Sequence, residues 1–471
     1  MLAMRGVIAR RELAVLNEAP RTKPARRGLF ARLFRHAPPA PPVDEARRME
    51  SLLAALHRRA TTDGDALERC ARAALYRIAT AICNRHGRLV GDAAMIAALV
   101  ADRVGNSHGS DVIGEMIEPW IADAAGELGY RLLPAQARPV VMTVKGASAS
   151  GKSTLRPRQR ELAGELGIDW RDFALISPDI WRKYLLDYDS LGAASKYAGT
   201  LTGHEVAMID EKLDRYMSQK AERGTIPHLL IDRFRFDSFA ITPEEEEGGR
   251  LLTRFGATVY MFFMITPPDA TVERAYKRGL QFGRYKAVDD LLDHNVEAFT
   301  GMPRLFFTWA LKSDKRVHYE FLDNSVAEGV RPRTVAFGWN GDMTILDIKF
   351  LLDIDRYTKI NIDAKRPQDV YPGGDAMAAA NNTDFLRDCV RLIPTVRFAD
   401  FKSGRAYARM EGGRLVWTDG EGLAAALGDP ETRAGLAALD PGLLDPRPGQ
   451  PTAPEIIDAD AACTLGQWGG S

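Results

Sequence analysis

Gly146-Ala-Ser-Ala-Ser-Gly151-Lys152-Ser153-Thr154 fits the phosphate-binding pattern G-x-x-x-x-G-K-[ST] at every position. The run before it, Val140 to Val144, is apolar and β-branched, and Leu155 to Leu166 has helix-compatible spacing. Strand, loop and helix therefore follow in order, which is the context such a loop needs. Gly146 and Gly151 let the backbone aim successive N–H groups at phosphate oxygens, at a helix N-terminus whose dipole favours anions. Ala147, Ser148, Ala149 and Ser150 complete the cradle. Lys152 is expected to reach the β- and γ-phosphates, and Ser153 to offer its hydroxyl to Mg²⁺. The bland reading is a glycine-rich turn between a buried strand and a helix; the full match with both flanks favours a nucleotide. Lys145 is an oddity, since an apolar residue is expected where the strand enters the loop. Its charge either joins Lys152 beside the phosphates or points to solvent.

The rest of the chain sets bounds on this site. A length of 471 residues suggests about two to four domains. Lys plus Arg equals Asp plus Glu at 63 each, so the overall balance supports neither a long nucleic-acid track nor an acidic-substrate trap. The cysteines at 70, 83, 389 and 463 form no C-x-x-C pair, which argues against a zinc site or a disulfide framework. No apolar run approaches the length of a membrane span, the strongest being Val259 to Ile265. A cytoplasmic protein is expected, with a secreted effector as the other reading.

Five regions follow from the pattern. Residues 1–45 form a basic arm that ends in the stiff linker Pro38-Pro39-Ala-Pro41-Pro42. Within the arm, Leu29, Phe30, Leu33 and Phe34 share one helical side with arginines nearby. That pattern suits a membrane anchor, a targeting segment, a docking helix or a chance turn in a disordered tail. Residues 46–135 repeat apolar positions at three and four (Leu52, Leu53, Leu56; Leu67, Ala71, Leu75, Ile78; Ile113, Met116, Ile117), which predicts a helical region. Residues 136–326 alternate strands with helices: Phe173 to Ile176, a helix over Gly203 to Arg223, His228 to Ile231, Thr258 to Ile265 and Val317 to Leu322. The alternation predicts an α/β fold with a doubly wound, mainly parallel sheet whose ligands lie beyond the strand C-termini. Residues 327–430 predict a mixed α+β extension, with strands at Thr334 to Trp339 and Arg414 to Trp417 and a helix at Phe385 to Leu392. Residues 431–471 are rich in Gly, Pro, Ala and Asp and predict a loosely ordered tail.

A phosphate loop is shared by motors, GTPases, ATP-driven machines and kinases. No guanine-reading N-K-x-D segment occurs, and Asp179 follows the loop after one short helix and strand, a spacing suited to a kinase that brings an acceptor hydroxyl beside the nucleotide. Four ordered elements carry a resemblance: Gly146 to Thr154; Ile176-Ser-Pro-Asp179-Ile-Trp-Arg182; Thr202-Gly-His204-Glu205 with the helix leading to Leu229-Leu-Ile-Asp232; and Val272-Glu-Arg274-Ala-Tyr-Lys-Arg278-Gly-Leu-Gln-Phe-Gly-Arg284. Between about Val140 and Asn324 the chain resembles the zeta toxin family of P-loop kinases, and more distantly the chloramphenicol phosphotransferases. The resemblance implies a kinase that uses ATP or GTP with Mg²⁺ and phosphorylates a hydroxyl on a nucleotide sugar or nucleotide. It also implies restraint by an antitoxin-like protein, or here by the in-chain helical region.

Physical chemistry assigns the roles. Phosphoryl transfer is mostly positioning and charge neutralisation. Asp179 is expected to align the acceptor and take its proton late, or merely to cap the helix that follows. Arg274, Arg278 and Arg284 are permanently charged, planar donors suited to phosphate oxygens in a lid. Asp232 is placed to hold Mg²⁺ through water, to bind the acceptor, or to cap. Arg182 lies on the acceptor side. Where zeta toxins have a small turn after the third strand, this chain has Asp232-Arg233-Phe234-Arg235-Phe236-Asp237, so Arg233 and Arg235 are expected at the acceptor and the toxin's substrate does not simply carry over. A polynucleotide or protein kinase is the rival enzyme, with that segment as its only basic, aromatic track. A nucleotide-sensing scaffold without turnover is the rival of another class.

Overall fold

The computed structural model describes residues 45–62, 64–232, 252–282, 286–411, 413–444, 455–459 and 462–469. The chain divides into two compact units, Met1–Leu132 and Leu133–Ser471.

In the first unit the described residues form α1 (Glu45–Thr62), α2 (Ala66–His86), α3 (Ala93–Asn106) and α4 (His108–Glu127). The helix starts are set by carboxylates: Asp65 accepts from the Glu68 N–H at 2.8 Å and Asp92 from the Ala94 N–H at 3.1 Å. Gly87 ends α2 in the left-handed region, φ 69°. Leu56, Ala71, Leu75, Ile96, Val100 and Val104 bury the three–four stripes of α1 to α3 in one small core.

The second unit is built on a ten-stranded sheet in the order β10-β9-β8-β7-β6-β5-β4-β1-β3-β2. Its nucleotide-binding half comprises β1 (Val140–Lys145), β2 (Phe173–Ile176), β3 (His228–Ile231), β4 (Thr258–Ile265) and β5 (Arg316–Asp323), and every pairing among these is parallel. The strands are short apolar runs because both faces are covered. Val259, Met261, Phe263 and Ile265 of β4 enter one core, while Tyr260, Phe262 and Met264 enter another. The first core also takes Phe299, Met302 and Phe306 from the helix Val288–Ala310, and the second takes Leu162 and Ala163 from Arg156–Glu165. We call these α9 and α5. Between them in the chain lie α6 (Pro178–Leu185), α7 (Gly203–Glu222) and α8 (Pro268–Phe282).

The extension is not a separate layer. Its strands β6 (Arg333–Trp339), β7 (Asp342–Ile345), β8 (Thr395–Ala399), β9 (Ala406–Glu411) and β10 (Arg414–Trp417) continue the same sheet outward from β5. All of its pairings are antiparallel except β7 with β8. Helices α10 (Ile348–Arg356) and α11 (Asp384–Leu392) add Leu351, Leu352, Phe385 and Leu386 to the first core.

Within the segment expected as a loose tail, the described residues include a helix and a packed strap. Pro430–Leu439 is a helix started by Asp429, and residues 462–469 form a strap packed against β5 and β6. The buried carboxylate of Glu320 accepts the N–H groups of Leu465 at 2.7 Å and Gly466 at 2.9 Å, and the Thr334 hydroxyl at 2.7 Å. Leu465 then fills the second core beside Leu322. The composition of this segment missed the packing because it is held by groups distant in the sequence, Glu320, Arg331 and Thr334 among them, rather than by any local pattern.

Candidate nucleotide site

The loop sits at the C-terminal end of central β1, where left-handed backbone is needed twice: Ala149 at φ 62° and Gly151 at φ 93°. A Cβ on Gly151 would stand 2.3 Å from Asn324 Nδ2, so only glycine fits. From Lys152 the chain winds as a 3₁₀ turn to Leu155 before α5 begins, rather than as the α-helix expected from Leu155. Pro157 in the first turn of α5 is tolerated because a first-turn N–H has no intrahelical acceptor anyway.

Two side chains set the loop's orientation. Thr266 Oγ1 donates to the Ser150 carbonyl at 3.0 Å, and Asn324 Nδ2 donates to the same oxygen at 2.8 Å. In a planar trans peptide the C=O and the next N–H point opposite ways, so clamping this carbonyl turns the Gly151 N–H away from the clamp. Lys152 Nζ lies 2.9 Å from the Gly146 carbonyl and 2.7 Å from that of Ala147, which places its ammonium over the loop. Thr154 Oγ1 donates to the Gly151 carbonyl at 2.6 Å, while Ser153 is exposed. Lys145 is fully buried, so the solvent-facing alternative for it does not hold.

The predicted residues divide by position. Arg274, on α8, comes to the loop. Its Nη2 donates to the carbonyls of Asn324 at 2.6 Å and Val326 at 3.2 Å, and its Nη1 would lie 3.6 Å from a Cβ on Gly151. Asp232 follows β3, its N–H on the Ile176 carbonyl at 2.9 Å, and its carboxylate is paired with Arg156 of α5 at 3.0 Å. Arg182 donates from Nε to Thr202 Oγ1 at 3.2 Å, tying α6 to the start of α7. Arg278 is exposed one turn beyond Arg274. Asp179 is the second residue of α6, but its side chain lies outside the described residues, as do Arg233, Phe234, Arg235, Phe236 and Arg284 and the arm over residues 1–44.

Sequence reasoning missed Asn324 and Thr266, whose role is to hold backbone, and it missed the pair Lys286 and His294. The Lys286 ammonium contacts His294 Nδ1, on α9. Burial, then the Lys286 charge, push the His294 pKa down to about 4; Lys152 adds to the lowering, and Asp290 and Asp293 oppose it. Burial also lowers Lys286, with Arg278 adding to the effect. His294 is therefore a neutral acceptor within electrostatic reach of Lys152, and no local motif marks it.

Among the described residues no group of three or more His, Cys, Asp or Glu side chains is placed to hold a metal ion. Nucleotide-bound Mg²⁺ keeps waters and phosphate oxygens and needs only one or two protein ligands. With the Thr154 hydroxyl engaged, Ser153 is an exposed hydroxyl of the loop that fits such an ion. Among the described residues no helix is long and apolar enough to cross a membrane.

No protein-family model and no curated protein matches the sequence. Among solved structures the chain is similar to the native AvrRxo1-ORF1:-ORF2 complex, at 15% sequence identity and a TM-score of 0.34 over 68% of this chain and 79% of that one. It is also similar to the AvrRxo1-ORF1:-ORF2 complex with ATP, at 15% identity and a TM-score of 0.33 over 73% and 82% of the two chains.

Proposed function

We propose that this chain is a kinase that transfers the γ-phosphoryl group of ATP or GTP, with Mg²⁺, to a hydroxyl of a small molecule, a nucleotide sugar or nucleotide being the class that the family resemblance implies. The observation that carries the reading is the convergence of Lys152, the clamped Ser150–Gly151 peptide and the guanidinium of Arg274 at the ends of parallel β1, β4 and β5. A phosphate chain laid across the loop meets fixed donors there, and little reorganisation is left for the transition state.

Each residue then has a task. The loop's N–H groups and Lys152 hold the phosphates, Arg274 neutralises charge as it moves toward the leaving oxygen, and Ser153 and Asp232 are the ligands for Mg²⁺, which when bound draws charge from the phosphate oxygens. Asp179, at the start of α6, is assigned to the acceptor: the hydroxyl oxygen bonds to the γ-phosphorus, the bond to the β-phosphate oxygen breaks, and the hydroxyl proton passes to the Asp179 carboxylate. Arg182, Arg233 and Arg235 belong to the acceptor side, and Arg278 and Arg284 to the lid. Incubation with γ-labelled ATP and a panel of nucleotides and nucleotide sugars should yield a labelled small molecule that Lys152→Ala and Asp179→Ala both lose. Label transfer indifferent to both changes overturns the proposal.

A further inference from the structure

The fourth helix of the first unit, α4, is held by little. Of its twenty residues only Gly109 and Ala125 are buried, and it contains Pro119, Gly114 and Gly126. Helices in water persist mainly by packing an apolar face, so one with this composition needs a cover. Its apolar face is instead open: Ile113, Met116, Trp120 and Ile121 are each between 59% and 67% exposed, at the spacing of a single stripe. The helix is also acidic throughout, with Asp111, Glu115, Glu118, Asp123 and Glu127 and no lysine or arginine.

The same unit of the chain contains the complementary pattern. Arg26-Arg-Gly-Leu29-Phe30-Ala-Arg32-Leu33-Phe34-Arg35 joins four large apolar residues to four arginines and has no acid. Nine residues lie between Arg35 and Glu45 at the start of α1, ten Cα steps that reach roughly 33 Å when extended. α1 itself, at 18 residues, is about 27 Å long. The tether is therefore longer than α1. We propose that residues 26–35 dock in cis on the exposed stripe of α4, with Leu29, Phe30, Leu33 and Phe34 against Ile113, Met116, Trp120 and Ile121 and the arginines drawn to the acidic helix, Asp123 and Glu127 lying nearest the stripe. Opposite charge selects this occupant over a second α4, which would bring acid to acid.

Hydrogen exchange by mass spectrometry on the full chain tests it. Deleting residues 1–40 should speed exchange over residues 108–127 roughly tenfold, and a synthetic peptide of residues 24–37 added to the shortened chain should restore the protection. Because deletion removes much at once, a second variant changes only Arg26, Arg27, Arg32 and Arg35 to Glu; it should expose α4 to the same extent. Exchange over 108–127 unchanged in both variants overturns the proposal. So does protection that survives deletion and rises with protein concentration, which would put a second copy on this face.

Discussion

Arg156 Nη2 stands 3.0 Å from Asp232 Oδ2, so the first carboxylate beyond β3 already has a cation from the phosphate-loop helix as its partner. Both side chains are about one-third exposed, at 32% and 28%, and the pair adds at most about 1 kcal/mol to stability. A Mg²⁺ ion held by Asp232 has to compete with that guanidinium. Arg156→Met should lower the Mg²⁺ concentration for half-maximal nucleotide binding by roughly fivefold, the equivalent of about 1 kcal/mol, and Asp232→Asn should raise it. A fluorescent ATP analogue titrated with Mg²⁺ reads both. Identical midpoints in the three proteins would place Asp232 outside the metal site.

Gly151→Ala meets two obstacles, a left-handed φ of 93° and an amide nitrogen 2.3 Å from the new carbon. Asn324 must move and release the Ser150 carbonyl. The backbone strain is about 1–2 kcal/mol, tolerable for the fold, but the cradle loses its orientation. Calorimetric titration should show ATP affinity reduced by at least roughly 100-fold, about 2.7 kcal/mol, with the cooperative melt retained. Affinity within a few-fold of the parent protein would contradict the clamp.

Arg274 bonds two carbonyls through one nitrogen while a second nitrogen faces the loop, a fork that lysine cannot reproduce. Arg274→Lys should therefore resemble Arg274→Ala, with kcat down roughly 100-fold or more and ADP affinity little changed. Steady-state kinetics on the three proteins decide it. Full activity in the lysine variant would reduce Arg274 to a point charge.

His318 and Glu320 alternate on the face of β5 that carries the strap, and they titrate in opposite senses. Burial holds His318 down at about 4 from an ordinary 6.5, with its Nε2 donating to the Ala462 carbonyl at 2.9 Å. Its contribution to stability is complete above 6.5 and is lost as pH falls toward 4. Burial pushes Glu320 up to about 7 from 4.5, so the folded chain binds the extra proton and gains stability as pH falls through that range. Each displacement is worth about 3 kcal/mol, and between 4.5 and 6.5 the two offset one another. His318→Gln keeps an N–H for Ala462 and removes one side of the balance. Urea unfolding should show the variant gaining about 2–3 kcal/mol relative to the parent on going from pH 6.5 to 4.5. Parallel pH profiles for the two proteins would refute the pairing.

The parallel half of the sheet was legible because each strand is a short apolar run closed by turn residues. Phe173–Ile176, His228–Ile231 and Thr258–Ile265 are found where the residues placed them. The extension was harder. Asn340-Gly341 is a two-residue hairpin signal, and Trp339 pairs with Asp342 across it, yet the four residues of β7 carry too little alternation to stand out beside it. β8 and β9 are interrupted by Arg397 and Arg409, each of which is paired with an acid. In the site, the loop could be read directly because its chemistry is local. Asn324 could not, since it acts through a carbonyl 174 residues away, nor could the Arg156–Asp232 pair, which needs β3 to lie beside β1.

β5 has β4 on one side and β6 on the other, and Val317 to Asp323 are buried between them. The true outer strands, β2 and β10, are four residues each. A chain cut after β5 would lay open an eight-residue edge of unpaired main-chain groups, of the kind that recruits strands from other molecules. The nucleotide-binding half therefore cannot be inherited as a separable module. In any gene fusion or recombination it must travel with the strands that close its flank, as one cassette.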